Sequence, residues 1–254
     1  MNLPPPNFAG TVRALRGGWR LWEQAEVTST NLVAARLEIW NAVRADTQTA
    51  GRGRFQRAWV SDCGGLWLSA VVPVETHSAA WRMLPLVTGV AICDALRELG
   101  ARGLRLRWPN DVLLGNRKLA GLLIDQFHPG RAVVGIGLNV TNQPEACDPR
   151  LAGQVVRLTE LVAAPPTPGA LAERILISLR KVWQLASEVA PAHLLPRINA
   201  LWDLPRRVAV DLDGPIVRGQ FLGVDAAGRL LLREAAGPRR AFEPQGVRLL
   251  RDLD

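Results

Sequence analysis

The stretch LRLRWPNDVLLGNRKLAGLLIDQFHPGRAVVGIGLNV, residues 104–140, decides the fold of this 254-residue chain. Four short apolar runs follow one another in it, with the turn signals Pro-Asn, Gly-Asn and Pro-Gly between them. The runs are Leu104–Trp108, Val112–Leu114, Leu119–Phe127 and Ala132–Val140. Apolar runs of strand length between such turns indicate consecutive β-strands. The stretch therefore predicts a mixed or mostly antiparallel sheet.

Further strands and helices are predicted outside this stretch from the spacing of apolar residues. Strands are predicted at Trp19–Val27 and Leu66–Val74, and helices at Ala80–Leu99, Ala170–Val189 and His193–Trp202. The residues Thr28-Ser29-Thr30-Asn31 are typical helix caps, and they predict a helix whose apolar positions run from Leu32 to Ile39. The sheet is therefore expected to be flanked by helices.

The end of the chain predicts a small unit of its own, because short strands and turns alternate there from residue 205 onwards. The strands are predicted at Val208–Leu212, Ile216–Val224, Leu230–Arg233 and Val247–Leu250. This pattern favours a small all-β barrel of about 50 residues. The sequence thus predicts an α+β chain with an N-terminal arm over residues 1–18, a main unit over 19–204 and a β-barrel over 205–254.

Composition excludes several classes of protein. With 48% hydrophobic and 21% charged residues, the chain is typical of a folded globular protein. Its longest uncharged runs, such as residues 132–144, fall short of the roughly 20 apolar residues that span a bilayer. The N-terminus MNLPPPNFAG has neither the basic nor the apolar region of a secretory signal. We therefore expect a cytoplasmic protein without a membrane span.

The cysteines and the net charge are compatible with a protein that binds phosphate groups. Cys63, Cys93 and Cys147 form no CxxC pair, so neither a disulfide framework nor a zinc site is indicated. The net charge of +8 is carried almost entirely by arginine, because only Lys118 and Lys181 among the 31 basic residues are lysines. Such a charge suits nucleic acid, a membrane surface or a phosphate-bearing substrate, and charge alone does not choose between them.

Residues 48–59, QTAGRGRFQRAW, form the sharpest local motif. Its glycines allow the backbone to approach a ligand closely, and Arg52, Arg54 and Arg57 supply forked donors for phosphate or carboxylate. The motif is not a Walker loop, because GxxxxGK[ST] is absent. It predicts an anion-binding loop, and the alternative is a solvated basic turn.

A second motif joins Trp108-Pro109-Asn110-Asp111 to Arg117-Lys118-Leu119-Ala120-Gly121. Strand–turn–strand geometry would bring an amide, a carboxylate and the ammonium of Lys118 to one end of the sheet, and Gly121 would leave room beside them. Each fragment alone is also an ordinary turn signal. A third fragment, Gly135-Ile136-Gly137-Leu138-Asn139, allows close backbone approach but lacks the dinucleotide fingerprint.

Taken in order, these motifs resemble those of the biotin protein ligases. The resemblance is carried by Ser-Thr-Asn at 29–31, Gln-x-x-Gly-Arg-Gly-Arg at 48–54, the Trp-Pro-Asn-Asp and Arg-Lys-Leu-Ala-Gly pair, and Gly-x-Gly-x-Asn at 135–139. It implies a class II synthetase-like catalytic domain with an SH3-like C-terminal barrel. It also implies an enzyme that joins biotin to ATP as biotinyl-5′-AMP, releases pyrophosphate, and passes the biotinyl group to a carrier lysine. The carrier would be the biotin carboxyl carrier protein of acetyl-CoA carboxylase or of another biotin-dependent enzyme.

The resemblance also implies roles for individual residues. The implied catalytic residues are Lys118, Arg52 and Arg54. The implied biotin-binding residues are Ser29, Thr30, Asn31, Gln48, Arg52, Gly53, Arg54, Lys118 and Gly121. The implied nucleotide-binding residues are Arg57, Trp59, Arg107, Asn110 and Asn139, and Asp111 would help to hold Mg²⁺ with the triphosphate.

Two positions depart from the family pattern. Gln56 stands where the loop of the family has a glycine, which is expected to stiffen the loop. Arg107 stands where many members have lysine, which keeps the charge but changes its geometry towards ATP.

Other functions stay open at this point. A lipoate-type ligase or octanoyl transferase would share the lysine-centred chemistry, and the high arginine content is compatible with a nucleic-acid-binding module. About 18 unpatterned residues precede the main unit, where some members of the family carry a helix-turn-helix domain, so we expect no DNA binding. A homodimer formed through the sheet is an open alternative.

Overall fold

A computed structural model describes residues 10–75, 78–188, 191–202, 206–235 and 237–253. The first nine residues of the predicted N-terminal arm and the predicted boundary at residues 204–205 lie outside the described residues. The three-part division of the chain stays a prediction.

Eight strands of the described residues form one mixed sheet. They are β1 (Thr11–Ala14), β2 (Arg20–Val27), β3 (Asn41–Gln48), β4 (Leu66–Pro73), β5 (Leu104–Arg107), β6 (Asp111–Leu114), β7 (Arg117–His128) and β8 (Arg131–Leu138). Their order in the sheet is β1-β2-β3-β4-β8-β7-β6-β5, with β2 and β3 parallel and the other neighbours antiparallel. The predicted mixed sheet is confirmed, and the end of the predicted arm adds β1 to its edge.

Five helices accompany the strands in the described residues. They are α1 (Thr30–Ala34), α2 (Ala79–Glu98), α3 (Pro144–Cys147), α4 (Pro168–Glu188) and α5 (Leu195–Asn199). The hydroxyl of Ser78 accepts from the backbone N–H of Trp81 and caps α2, which packs against α4. None of the described helices combines the length and the apolar character that crossing a membrane requires.

Helix α1 is shorter than the apolar spacing up to Ile39 predicts. It ends at Ala34, and the chain then turns, with the backbone N–H of Leu37 donating to the carbonyl of Ala34. The turn buries Leu37 against Val43, Val71 and Val133 on the sheet, a packing that a continued helix would not give.

Five antiparallel strands form the C-terminal sheet. They are β9 (Arg206–Asp211), β10 (Ile216–Val224), β11 (Leu230–Arg233), β12 (Arg239–Phe242) and β13 (Leu249–Asp252), in the order β12-β11-β10-β9-β13. The all-β character of this segment is confirmed. Strand β12, which reads RRAF, is absent from the predicted strands because two arginines interrupt the apolar pattern.

Tryptophans fix the C-terminal sheet on the main core. The indole N–H of Trp108 donates to the carbonyl of Gly228 at 2.9 Å, and Trp202 packs edge-on against Phe221 with ring centroids 5.2 Å apart. Asn199 completes the junction, because its Oδ1 accepts from the indole of Trp202 at 3.0 Å and from the backbone N–H of Val224 at 3.1 Å.

We expect Asn199→Ala to lower the free energy of unfolding by about 2 kcal/mol or more, because it leaves two buried donors without an acceptor. Asn199→Asp keeps an acceptor oxygen at this position and is the matched control. Urea denaturation followed by tryptophan fluorescence measures both variants. A loss below about 0.5 kcal/mol for Asn199→Ala would show that this junction does not depend on the asparagine.

Candidate functional site

A cleft of about 530 Å³ lies where the loop of the 48–59 motif, named here the Gly/Arg loop, meets the N-terminus of α1, strands β6 to β8 and strand β13. Every residue to which the resemblance gives a site role lines this cleft. They are Ser29, Thr30, Asn31, Gln48, Arg52, Gly53, Arg54, Arg57, Trp59, Arg107, Asn110, Asp111, Lys118, Gly121 and Asn139. The structure thus brings together residues that are up to 110 positions apart in the sequence, although their individual roles stay predictions.

The electrostatic centre of the cleft is the carboxylate of Asp111 between two cations. The Nζ of Lys118 lies 2.6 Å from Oδ1 of Asp111, and an Nη of Arg107 lies 2.8 Å from Oδ2. The register between β6 and β7 shifts between Val112 and Leu113. On one side of the shift Gly121 lies opposite Asp111, and on the other side Lys118 lies opposite Leu113. The bulge therefore places lysine and carboxylate on adjacent strands within ion-pair distance.

These two cations determine the charge state of Asp111. Burial by itself raises the pKa of the Asp111 carboxyl, but the charges of Lys118 and Arg107 and their hydrogen bonds outweigh burial. The pKa of Asp111 therefore lies below its ordinary value. A carboxylate held ionised in this way fixes the ammonium of Lys118 in position through their ion pair.

Trp59 lies flat against two glycine-bearing strands beside this centre. A Cβ added at Gly121 would come within 2.8 Å of the indole ring, and a Cβ added at Gly137 within 2.6 Å. The Nζ of Lys118 lies 4.9 Å from the centre of the ring. The indole N–H of Trp59 is buried and has no acceptor among the described residues, so a ligand in the cleft would find a free donor there.

One wall of the cleft is a hydrogen-bond network with a fixed direction. The backbone N–H and the hydroxyl of Thr30 lie 2.8 and 3.0 Å from Oε1 of Gln48. Because a backbone N–H can only donate, Oε1 of Gln48 must face Thr30, and its Nε2 then donates to the hydroxyl of Ser61 at 2.8 Å. Ser61 in turn donates to the carbonyl of Trp59 at 3.1 Å, which ties this wall to the indole.

Behind this wall lies Ser69, which the sequence motifs do not include. Its fully buried hydroxyl is 2.7 Å from Oγ1 of Thr30 and 2.6 Å from Oδ1 of Asn31. The amide of Asn31 also donates to the carboxylate of Asp125 at 2.7 Å, and this orients its oxygen towards Ser69. The only signal in the sequence is a single serine within the otherwise apolar strand LWLSAVVP.

The Gly/Arg loop is folded back on itself over the cleft. The backbone N–H of Gly53 donates to the carbonyl of Arg57 at 2.8 Å, and that of Trp59 donates to the carbonyl of Gly51 at 2.9 Å. At the tip, Phe55 and Gln56 have φ angles of 56° and 58°. Gln56 therefore adopts the left-handed conformation that glycine accepts at low cost, which suits the glycine that the resemblance leads one to expect at this position.

Arg54 joins this loop to the C-terminal sheet. One Nη of its guanidinium donates to the carbonyls of Pro244 and Val247, at 2.5 and 3.1 Å. Burial lowers the pKa of Arg54, an effect that the nearby Asp111 carboxylate opposes. The arginine that the resemblance places against biotin thus bonds to backbone on the approach to β13.

Two segments that the motifs do not include also line the cleft. The first contributes Pro144, Asp148, Arg150, Leu151 and Val155, and the second contributes Arg248, Leu249 and Leu250 from the C-terminal sheet. Neither segment contains a motif. Only the three-dimensional fold brings them to the cleft, by way of the bridge between Lys118 and Val155 and the docking of β13 beside the loop.

Two residues that are predicted to bind the nucleotide form hydrogen bonds within the protein through their side-chain amides. Asn110 donates to the carbonyl of Leu122 at 2.6 Å, and Asn139 donates to the carbonyl of Lys118 at 3.3 Å. Both therefore position the backbone of β7, from which Lys118 and Gly121 face the cleft.

The donor set does not fit a metal ion held by side chains alone. Among the described residues, no three His, Cys, Asp or Glu side chains are grouped closely enough to hold one. Each oxygen of Asp111 already faces a cation, and an added metal ion there would meet the positive charges of Lys118 and Arg107.

Two family models match the chain. The model of the biotin/lipoate A/B protein ligase family matches residues 23–140, and the model of the biotin protein ligase C terminal domain matches residues 204–243. The first covers the strands and loops that carry Gln48, Asp111 and Lys118. The second covers β9 to β12.

Individual proteins match over most of their length. The biotin--[acetyl-CoA-carboxylase] ligase of Mycobacterium tuberculosis is 34% identical over 235 residues, which cover 85% of this chain and 84% of that protein. The biotin--[acetyl-CoA-carboxylase] ligase of Paracoccus denitrificans is 32% identical over 240 residues, which cover 84% of this chain and 94% of that protein. The structure of biotin protein ligase from Aquifex aeolicus in complex with biotin and ATP superimposes with a TM-score of 0.80 at 26% identity. That match covers 91% of this chain and 98% of the other.

The ion pairs of Asp111 predict a pH-dependent contribution to stability. The pKa of Asp111 is lower in the folded chain than in the unfolded one. The stabilisation that the ionised carboxylate gives the folded chain is therefore complete at pH values above the pKa in the unfolded chain, about 3.9. It is lost as the pH falls through the folded pKa. We expect the difference in free energy of unfolding between the unmodified chain and Asp111→Asn to be largest near neutral pH and to shrink below about pH 4. Urea unfolding as a function of pH measures it, and a difference that stays constant into acid would contradict the assignment.

Proposed function

Because the chain belongs to the biotin protein ligases, we propose that its cleft activates biotin with ATP and passes the biotinyl group to a lysine of a biotin carboxyl carrier protein. In the first step a carboxylate oxygen of biotin attacks the α-phosphorus of ATP, and the bond to the β-phosphate breaks to release pyrophosphate. In the second step the carrier lysine attacks the acyl carbon of biotinyl-5′-AMP. An amide forms, AMP leaves, and the lysine loses a proton.

The observation that carries this proposal is the ammonium of Lys118 fixed at the centre of the cleft. Attack of one anion on another accumulates negative charge at the α-phosphate, and a preorganised cation stabilises that charge. Lys118 is held 2.6 Å from the Asp111 carboxylate and beside the Trp59 ring, so it needs no rearrangement to act. Its charge is therefore available in the transition state without a reorganisation cost.

The hydrogen-bonded wall of the cleft, formed by Thr30, Gln48 and Ser61, suits the ureido ring of biotin. That ring is neutral and carries both N–H donors and a carbonyl acceptor, so it needs hydroxyl and amide partners in fixed orientations. Thr30 and Gln48 supply such groups, and Ser61 and Ser69 fix their direction from behind. Lipoate has no ureido ring, so this wall favours biotin over the lipoate-type alternative.

The Gly/Arg loop suits retention of the intermediate. Biotinyl-5′-AMP is a mixed anhydride that water destroys, and a loop that covers it both neutralises phosphate and excludes water. Arg52 and Arg57 line the cleft, while Arg54 fastens the loop to the C-terminal sheet. We therefore assign Arg54 to loop closure and the other two arginines to the bound anion.

Mg²⁺ enters this proposal as part of the substrate. The side chains do not fit a resident ion, so the metal would arrive on the phosphates of ATP and its water ligands would remain largely in place. We further propose a cytoplasmic location, where ATP and carboxylase carriers are found together.

The proposal is tested by following the biotinyl group. The protein is incubated with radiolabelled biotin, Mg-ATP and a purified biotin carboxyl carrier domain, and with radiolabelled lipoate in a parallel reaction. The expected result is label on the carrier from biotin and none from lipoate. Label from lipoate alone would establish the lipoate-type alternative, and label from neither would contradict ligase function.

We expect Lys118→Ala to reduce adenylation of biotin by about 100-fold or more, because one preorganised charge is lost from the developing oxyanion. Lys181→Ala removes the other lysine of the chain, which lies on α4 outside the cleft, and is the matched control. Burst formation of biotinyl-5′-AMP measures both variants. Adenylation by Lys118→Ala within a few-fold of the unmodified rate would remove Lys118 from the reaction.

Arg54→Ala should speed the release of biotinyl-5′-AMP by about tenfold, because it removes charge-assisted hydrogen bonds that fasten the loop. Arg52→Ala should also speed release, through lost contact with the intermediate. Chase of labelled intermediate with unlabelled biotin measures the release rate, and labelling of bystander proteins reports escape. If both variants instead unfold, the loop has a structural role, and the proposal that it retains the intermediate is wrong.

A further inference from the structure

The outward face of the C-terminal sheet carries a cluster of arginines that the proposed reaction does not use. Alternate residues of its strands point inward, where Val208, Val210, Phe221, Leu232 and Phe242 are buried. The residues between them point outward. At these outward positions stand Arg207, Arg218, Arg233, Arg239 and Arg251, all of them exposed. We name these five residues the arginine face.

Strand register brings the five arginines into two neighbouring rows. Arg207 is opposite Gln220, Gln220 is opposite Arg233, and Arg233 is opposite Arg239, across four consecutive strands. In the next row, Ala209 separates Arg251 from Arg218. Neighbouring strands lie about 4.8 Å apart, so the five strands hold the five positive charges in a patch roughly 20 Å across.

Four of these arginines have no internal counter-charge. Arg218, Arg233, Arg239 and Arg251 form no ion pair with any described residue. On the inward side of the same sheet the pattern differs, because Arg206 pairs with Asp252 at 3.3 Å.

This arrangement carries a cost in stability. Like charges that stand directly opposite on neighbouring strands destabilise a sheet, and Arg233 faces Arg239 in this way. Charge concentrated on one face at the expense of stability is typical of a surface that binds an oppositely charged partner.

We propose that the arginine face binds an acidic surface of the carrier protein while the carrier's lysine enters the cleft. This inference rests on the proposed function, in which a protein lysine is the second substrate. The two sites adjoin along β13, because Leu249 lines the cleft and Arg251, two residues further on, belongs to the arginine face. A domain that delivers a lysine to this cleft therefore has the arginine face beside its point of entry.

The composition of the face favours an acidic protein over single-stranded nucleic acid. Proteins that bind single strands stack bases on aromatic side chains between their basic residues. The outward positions of the described C-terminal strands hold no aromatic residue, since Phe221 and Phe242 both point into the core. The face thus offers charge without a stacking platform.

The test compares two double charge reversals of equal size. Arg233→Glu with Arg239→Glu reverses the charges at the β11–β12 end of the arginine face and keeps like charges opposite each other, so the fold is perturbed little. Arg16→Glu with Arg174→Glu is the control, because both arginines are exposed, lie outside the cleft and form no ion pair with a described residue. Thermal unfolding of all three proteins establishes that each is folded.

The readout is the KM for a purified biotin carboxyl carrier domain at low ionic strength, together with carrier-independent formation of biotinyl-5′-AMP. We expect the variant of the arginine face to raise the carrier KM about tenfold or more, with the rate of adenylation unchanged within twofold. Addition of KCl to about 0.3 M should make this increase in KM smaller, because salt screens the charges. The control should leave the carrier KM within about twofold.

Three results would overturn the proposal. An unchanged carrier KM in the variant of the arginine face would remove the face from docking. An equal rise in the control would show that net charge alone matters. Loss of binding to a fluorescent DNA oligonucleotide with no change in carrier KM would assign the face to nucleic acid. Failure of the proposed function itself is distinguishable, because the unmodified protein would then form no biotinyl-5′-AMP.

Discussion

The carboxylate of Asp111 between Lys118 and Arg107 is the interaction on which the cleft depends. It joins β5, β6 and β7 at one end of the main sheet and fixes the only lysine of the cleft. The two cations keep the pKa of Asp111 low, and the ionised carboxylate in turn keeps the ammonium in place. A site that must stabilise charge on a phosphate thus has its cation positioned before any substrate binds.

The C-terminal sheet completes this site from the opposite side. Arg54 carries the link, because it donates to carbonyls on the approach to β13 while its loop covers the cleft. Strand β13 then contributes Leu249 to the cleft wall and Arg251 to the arginine face. In the proposed reaction the loop, the adenylate and the carrier would therefore meet along one strand, which couples retention of the intermediate to arrival of its acceptor.

The order of the motifs predicted the residues that line the cleft far better than it predicted the residues that hold them in position. Lys118 and the Gly/Arg loop stand out because glycine, charge and turn signals are local properties of a sequence. Ser69 does not, since one serine in an apolar strand gains meaning only from the neighbours that register brings to it. Strand β12 was missed because Arg239 and Arg240 interrupt its apolar pattern, and the partners of Arg54 lie about 190 residues away, beyond any local pattern.

In the proposed reaction, the cleft uses the fixed charge of Lys118 to form an acyl adenylate of biotin. Exchange of radiolabelled pyrophosphate into ATP tests it directly, because exchange requires reversible formation of that adenylate in the absence of any carrier. We expect exchange that begins on addition of biotin and does not begin on addition of lipoate. Exchange that is independent of biotin, or absent with both acids, would contradict it.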